Sequence, residues 1–183
     1  MLVSGRHAVR LLLVHGAATG EAQARALLRA GAAGIGTITD TGVFFDGDRV
    51  RELAERSSLD RQAQEASCPR GVYIARLSRA TVLDLTRPWA DVTRQVNRVP
   101  RMPTMTVALL EVHLRIAGRL PWVATLHGFV VHGAELVGFE TDPDGVGRFR
   151  LEAPGEWFAA WRDRRLPGTP GGRPWVIRRP TVL

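Results

Sequence analysis

Residues 105–151 read MTVALLEVHLRIAGRLPWVATLHGFVVHGAELVGFETDPDGVGRFRL, and this stretch decides the fold. In its first part apolar and polar residues alternate, and the apolar positions are Leu110, Val112, Leu114 and Ile116. Alternation with a period of two is typical of a strand that buries one face. We therefore predict a first strand here, with these four side chains facing a core.

Three further strands are predicted downstream, over residues 122–131, 135–140 and 147–151. The dipeptide His132-Gly133 and the segment 142–145 (Asp-Pro-Asp-Gly) supply the turns between them. Because short connections favour antiparallel neighbours, residues 105–151 are expected to form a four-stranded antiparallel meander.

Helices are expected around this sheet, which makes the chain an α+β protein. Residues 72–77 form a predicted strand, residues 89–96 a short helix, and residues 175–177 a last edge strand. Pro154 opens a helix whose aromatic side chains Trp157, Phe158 and Trp161 share one side, the spacing of a core face. A polar linker, residues 57–69, separates two predicted domains, residues 1–66 and 67–183.

The N-terminal 56 residues carry helix and turn signals. Thr19 is expected to cap a helix that runs to about Ala30, and residues 36–45 form a predicted hairpin. Asp46 or Asp48 then caps a helix to about Arg56. The periodicity of residues 7–14 fits a helix or a strand equally.

The segment 19–56 resembles the winged helix of the MerR and excisionase type. Three parts carry the resemblance: a small-residue helix over residues 21–28, the wing strand 43–46, and the helix start 48–53. In that family a recognition helix lies between the first helix and the wing. Here only residues 32–35, Ala-Ala-Gly-Ile, fill that interval, so the recognition helix is expected to be missing.

The positive charge of the chain is built from arginine alone and is unevenly distributed. The chain has 25 Arg, no Lys and a net charge of +7. This usage is also typical of proteins from GC-rich bacterial genomes. Residues 1–66 are neutral overall, whereas residues 67–103 carry +5 and residues 154–183 carry +4. Because a guanidinium group binds phosphate oxygens and keeps its charge, this balance favours a nucleic-acid partner.

We therefore predict a DNA-binding transcriptional regulator or DNA-associated accessory protein that contacts phosphates through Arg clusters. Sequence preference is assigned to the first helix and the wing, through Arg25, Arg29 and Thr39. The phosphate contacts are assigned to Arg94, Arg98, Arg101, Arg164, Arg165, Arg173, Arg178 and Arg179. Gly171-Gly172-Arg173-Pro174 also has the Gly-Arg-Pro core of minor-groove hooks.

Two other functions stay open. One is a protein-interaction or assembly module without nucleic acid. The other is a small enzyme, although the sequence offers no nucleophile–base pair or suitably spaced carboxylates. In the leading DNA-binding interpretation, the sheet domain would also mediate self-association as a homodimer or bind an effector.

Several sites and locations are not expected. Cys68 is the only cysteine, so the chain has neither an internal disulfide nor a Cys-rich zinc site. His113, His127 and His132 lack carboxylates at ligand spacing, so we expect no metal and no cofactor. No apolar run is long enough for a membrane span or an export signal, which predicts a cytoplasmic protein.

Overall fold

The computed structural model describes residues 1–77, 83–141, 147–167 and 175–178. The first part of the chain contains β1 (Leu2–Ser4), α1 (Gly5–Val14), α2 (Glu21–Arg29), β2 (Thr37–Thr39), β3 (Gly42–Asp46) and α3 (Gly47–Ala54). The second part contains α4 (Arg61–Ser67), β4 (Val72–Leu77), α5 (Trp89–Val96), α6 (Thr104–Ala117), β5 (Leu120–Leu126), β6 (Phe129–Thr141), β7 (Gly147–Glu152), a 3-10 helix (Glu156–Ala160) and β8 (Trp175–Arg178). The chain is an α+β protein, as predicted.

A small antiparallel sheet with the order β1-β3-β2 organises the first part. The predicted hairpin is confirmed as β2 and β3, and α3 begins where expected, because the Asp46 carboxylate accepts the N–H of Asp48 at 2.9 Å. Residues 7–14 are helical. Ser4 begins α1 by accepting the N–H of His7 on its hydroxyl oxygen, which satisfies one of the free donors of the first turn.

A mixed five-stranded sheet with the order β7-β6-β5-β4-β8 forms the second part. Strands β4 and β5 are parallel, and the other neighbouring pairs are antiparallel. The predicted strand 72–77, the predicted helix 89–96 and the edge position of the last strand are confirmed.

The predicted first strand of the meander is wrong, because residues 104–117 form α6. Leu110 and Leu114, four residues apart, are buried, whereas Val112 is 50% and Ile116 is 83% exposed. A spacing of four fits one face of a helix as well as one face of a strand, so the alternation alone did not separate the two. The antiparallel meander therefore has three strands, β5, β6 and β7.

The turn predicted at His132-Gly133 is also misplaced, since β6 runs straight through it. The chain turns instead at His127-Gly128, where both residues have positive φ (53° and 84°), the backbone of a two-residue hairpin turn. Gly133 has another role. A Cβ atom there would collide with the ring of Phe158, so the strand needs a glycine to let this ring approach. The predicted turn at 142–145 lies outside the described residues.

The segment predicted as a linker contains α4, which packs beside the 3-10 helix. This 3-10 helix takes the place of the helix expected after Pro154. Trp161 follows it, is fully buried and donates its indole N–H to the Ser67 hydroxyl at 2.8 Å, so its predicted core position is confirmed. Trp157 and Phe158 are half-buried beside it.

One hydrophobic cluster runs from α1 and α2 to the large sheet. The N–H of Leu85 also donates to the carbonyl of Ala30 at 2.9 Å, which ties the end of α2 to the segment before α5. The predicted domain boundary at residue 66 stays a prediction. None of the helices in the described part of the chain combines the length and the apolar character that crossing a bilayer requires.

Candidate nucleic-acid interface

An open groove of about 890 Å³ lies between α1, α2 and the β2–β3 hairpin. Four arginines line it: Arg6, Arg10, Arg25 and Arg29. Apolar side chains form the rest of its wall, from Val9, Leu13, Leu28, Ile38, Val43 and Phe45. We call this feature the arginine groove.

Helical spacing explains why the four arginines converge. Arg6 and Arg10 are four residues apart on α1, and Arg25 and Arg29 are four apart on α2, so each pair projects from one helix face. Other positions of both helices hold the alanines and leucines that enter the core, among them Leu12 and Leu27. Packing of the two helices through these residues leaves the four charged side chains exposed.

Among the residues that the structure describes, Glu21 is the one carboxylate that lines the groove. Its Oε2 atom accepts a hydrogen bond from Nη2 of Arg25 at 2.6 Å, and both side chains are more than 60% exposed. An exposed ion pair contributes little to stability, so Arg25 can exchange this partner for another anion at low cost. Nε of Arg29 donates to the carbonyl of Arg25 at 3.3 Å, which directs it along the same side of α2.

Thr39, predicted to read sequence from the wing, lies at the end of β2 and is exposed. Its hydroxyl donates to the carbonyl of Gly42 at 3.1 Å, and it also accepts the N–H of Thr41 at 3.3 Å. These bonds fix the hairpin turn. In the groove itself the hairpin places Ile38, which is 83% exposed.

The three predicted phosphate-binding arginines between β4 and β5 are exposed but do not line the groove. Arg94 on α5 pairs with Asp91 one helical turn earlier. The backbone of Arg98 forms an isolated bridge with Arg148, and Arg101 lies in the connection that precedes α6. These three residues therefore belong to another part of the surface.

Two of the C-terminal arginines predicted to contact phosphates, Arg164 and Arg165, bond to groups within the chain. Arg164 donates to the Ser57 hydroxyl. Arg165 donates to the carbonyl of Gly16 at 2.9 Å, and its guanidinium carbon lies 4.9 Å from the centre of the Phe129 ring. Arg178 is half-buried on β8. Arg173, with the predicted Gly-Arg-Pro hook, and Arg179 lie outside the described residues.

The three histidines considered as metal ligands occupy separate elements: α6, the β5–β6 turn and β6. The hydroxyl of Thr93 donates to the carbonyl of Trp89 at 2.8 Å, so the Nε2–H of His132 is the donor in their 2.8 Å hydrogen bond. Burial lowers the pKa of His132 to about 4, and the imidazole stays neutral at pH 7. Within the described ranges, no three His, Cys, Asp or Glu residues are grouped as a metal site would require.

Sequence reasoning missed Arg6 and Arg10. The periodicity of residues 7–14 fits a helix or a strand equally, so it does not show that Arg6 and Arg10 share a helix face. Ser4, a favoured N-cap residue directly before residues 5–14, was the available signal for a helix.

No family model, curated protein or solved structure matches this chain. The chemistry of the groove residues is therefore the basis for assigning a ligand to it. Guanidinium groups from two helices beside an open groove can hold an anion that presents several oxygens, whereas no described residue there offers a nucleophile beside a base.

Proposed function

We propose that the chain is a DNA-binding protein, a transcriptional regulator or DNA-associated accessory factor, and that the arginine groove contacts the phosphate backbone. The observation that carries this proposal is the convergence of four exposed arginines from two helices beside a hairpin. With Glu21 included, the groove carries a local charge of +3. A duplex is a polyanion whose binding to such a surface releases condensed counterions.

The order of the elements supports the same proposal. β1, α1, α2, β2, β3 and α3 follow one another, and the small sheet has the order β1-β3-β2. In the MerR and excisionase type the recognition helix separates the first helix from the wing. With α1 as the first helix, α2 takes the recognition position, and residues 32–35 are only the connection to the wing.

This assignment gives each groove residue a role. The exposed face of α2 would enter the major groove, since the second helix of such a pair does so, with Arg25 and Arg29 bonded to the phosphates along its edge. Arg6 and Arg10 on α1 would hold the flanking phosphates. A DNA partner would also place the protein in the cytoplasm, and we include this location in the proposal.

A protein-interaction module without nucleic acid is the second candidate. The apolar part of the groove wall favours it, and above all Ile38, which has most of its surface in water. A groove of this composition also fits an amphipathic helix with acidic residues along its edge.

Fluorescence anisotropy with a labelled mixed-sequence duplex at two salt concentrations tests the proposal. Arg25→Gln should weaken binding and lower the salt slope by about one. Arg51→Gln is the matched control, since Arg51 is half-exposed on α3, pairs with Asp48 at 3.0 Å and lies outside the groove. Absence of binding by the wild type at either salt concentration would reject the proposal in favour of a protein partner.

A further inference from the structure

α6 contains more apolar residues than the described part of this chain buries. Its sequence is TMTVALLEVHLRIA, in which only Glu111, His113 and Arg115 carry ionisable groups. A helix that is apolar on all sides normally has neighbours on all sides. Among its residues, however, only Leu110 and Leu114 are buried, and they pack on one face of the large sheet.

The exposed side of α6 carries a continuous apolar stripe. Met105 is 70% exposed, Leu109 45%, Val112 50% and Ile116 83%. Successive residues of the stripe are four, three and four positions apart, the spacing of the seam between two packed helices. No described element of the chain covers it, and we call it the α6 stripe.

We propose that a second copy of this chain covers the α6 stripe, through antiparallel packing of the two α6 helices about a twofold axis. The spacing of four, three and four reads the same in both directions. An antiparallel pair therefore places Met105 opposite Ile116 of the other copy and Leu109 opposite its Val112. Such a self-complementary patch forms a closed dimer rather than an open chain of subunits.

The charge next to the stripe selects the antiparallel arrangement. Arg115 lies near one end of α6 and is exposed. In a parallel pair the two guanidinium groups would lie at the same height. In the antiparallel pair they are about 13 Å apart along the axis, at a rise of 1.5 Å per residue, so this arrangement removes the repulsion between the two Arg115 side chains, whereas the two exposed Glu111 side chains lie at similar heights in either arrangement.

The buried area is sufficient for a weak, specific dimer. With roughly 100 Å² per fully exposed apolar side chain, the four residues of both copies remove about 500 Å² of apolar surface from water. Flanking side chains on both sides of the stripe add to this core. This apolar core is smaller than the roughly 1,200 Å² at which standard specific interfaces begin, so the dimer belongs to the weak, transient class, and we expect a dissociation constant of tens of micromolar. This inference does not depend on DNA binding.

Sedimentation of the full chain between about 1 and 100 μM tests the dimer. The wild type should pass from monomer to dimer in this range, and Val112→Glu should remain monomeric with an unchanged circular dichroism spectrum. Val14→Glu is the matched control, because Val14 is a helical valine that is 74% exposed on α1, and this variant should dimerise like the wild type. A wild type that is monomeric at 100 μM, or a Val112→Glu protein that still dimerises, overturns the proposal.

Cysteine cross-linking tests the orientation and does not depend on whether Val112→Glu folds. Cys68 is buried, so introduced cysteines on α6 are the accessible thiols. An equimolar mixture of Met105→Cys and Ile116→Cys should oxidise to a mixed disulfide dimer. Met105→Cys alone should not cross-link, since the two positions 105 would be about 16 Å apart. A disulfide dimer of Met105→Cys alone contradicts the antiparallel packing.

Discussion

The N-terminal part, residues 1–54, and the C-terminal segment, residues 154–178, use the same cation in opposite ways. Arg6, Arg10, Arg25 and Arg29 are exposed around one groove, although residues 1–66 have no net charge. The C-terminal segment is the more basic by sequence. There, however, Arg164 and Arg165 bind Ser57 and the carbonyl of Gly16. Net charge along the sequence therefore does not show where arginines are available to a ligand.

Carboxylate placement explains the difference. In the N-terminal part, Asp46 caps α3 and Asp48 pairs with Arg51. These two acids contribute to the zero net charge of residues 1–66 but lie outside the groove. Only Glu21 lines it. In the described part of the C-terminal segment few acids are present, and a carbonyl group, a hydroxyl and two aromatic rings take their place as partners of the guanidinium groups.

Truncation of Trp161 should give the largest effect, because it tests whether the C-terminal segment is structural. Trp161 is fully buried and its indole N–H is bonded to Ser67. We expect Trp161→Ala to lower the free energy of unfolding by about 4 kcal/mol in urea denaturation. A loss below about 1 kcal/mol would show that the segment is peripheral and that its arginines are free to act elsewhere.

The pH dependence of stability tests the large sheet independently of the arginine groove, because it depends on the buried His132 of β6. Burial lowers the pKa of His132 from 6.5 to about 4, so between these values the unfolded chain takes up a proton that the folded chain does not. The free energy of unfolding should therefore fall by about 3 kcal/mol as pH decreases from 6.5 to 4. In His132→Gln this decrease should be reduced, whereas His7→Gln, at an exposed position, should behave like the wild type. Equal pH profiles for all three proteins would refute the buried neutral imidazole.

Arg165 and Arg25 allow a direct comparison between an arginine that stabilises the fold and an arginine that is exposed in the groove. Arg165→Ala removes the bond to Gly16 and the contact over Phe129, and should cost about 2 kcal/mol of stability. Arg25→Ala removes only an exposed ion pair and should change stability by less than about 0.5 kcal/mol. Chemical denaturation of both variants measures the difference, and similar losses would remove the distinction between the two regions.

Neutralising Glu21 should produce the smallest effect, and it tests whether the charge of the groove sets its affinity for DNA. Glu21→Gln removes the one carboxylate of the groove and releases Arg25. We expect DNA affinity to rise roughly threefold at low salt, with a steeper salt dependence, as the groove gains one unit of positive charge. Asp48→Asn, which releases Arg51 outside the groove, is the control, and an equal gain in that variant would argue against a specific role for the groove.

Local signals were sufficient for much of the fold. The hairpin, β4, α5 and the Asp46 cap follow from turn residues, apolar runs and capping chemistry that lie within a few residues of each other. Where one pattern fits two structures, local signals fail. Leu110 to Ile116 satisfies both periods, and the 14-residue length of α6 only becomes visible once Thr104 and Ala117 are known to be helical.

Tertiary contacts decided the remaining elements. Within the predicted meander the dipeptide His-Gly occurs at 127–128 and at 132–133, and only the approach of Phe158 to Gly133 shows that the second one lies inside a strand. The groove has the same origin. Its arginines are separated along the sequence by up to 23 positions and meet through helix packing, so the sequence identified Arg25 and Arg29 but neither Arg6 nor Arg10.

The salt dependence of DNA binding by two multiple-arginine variants tests the central claim most directly. In the groove variant Arg6, Arg10, Arg25 and Arg29 become Gln, and in the control Arg94, Arg98 and Arg101 become Gln. We expect the slope of log K against log salt to decrease in magnitude by three to four units (roughly 0.9 per lost contact) in the groove variant. In the control it should stay near the wild-type value. A wild-type slope in the groove variant, together with a reduced slope in the control, would contradict the central claim.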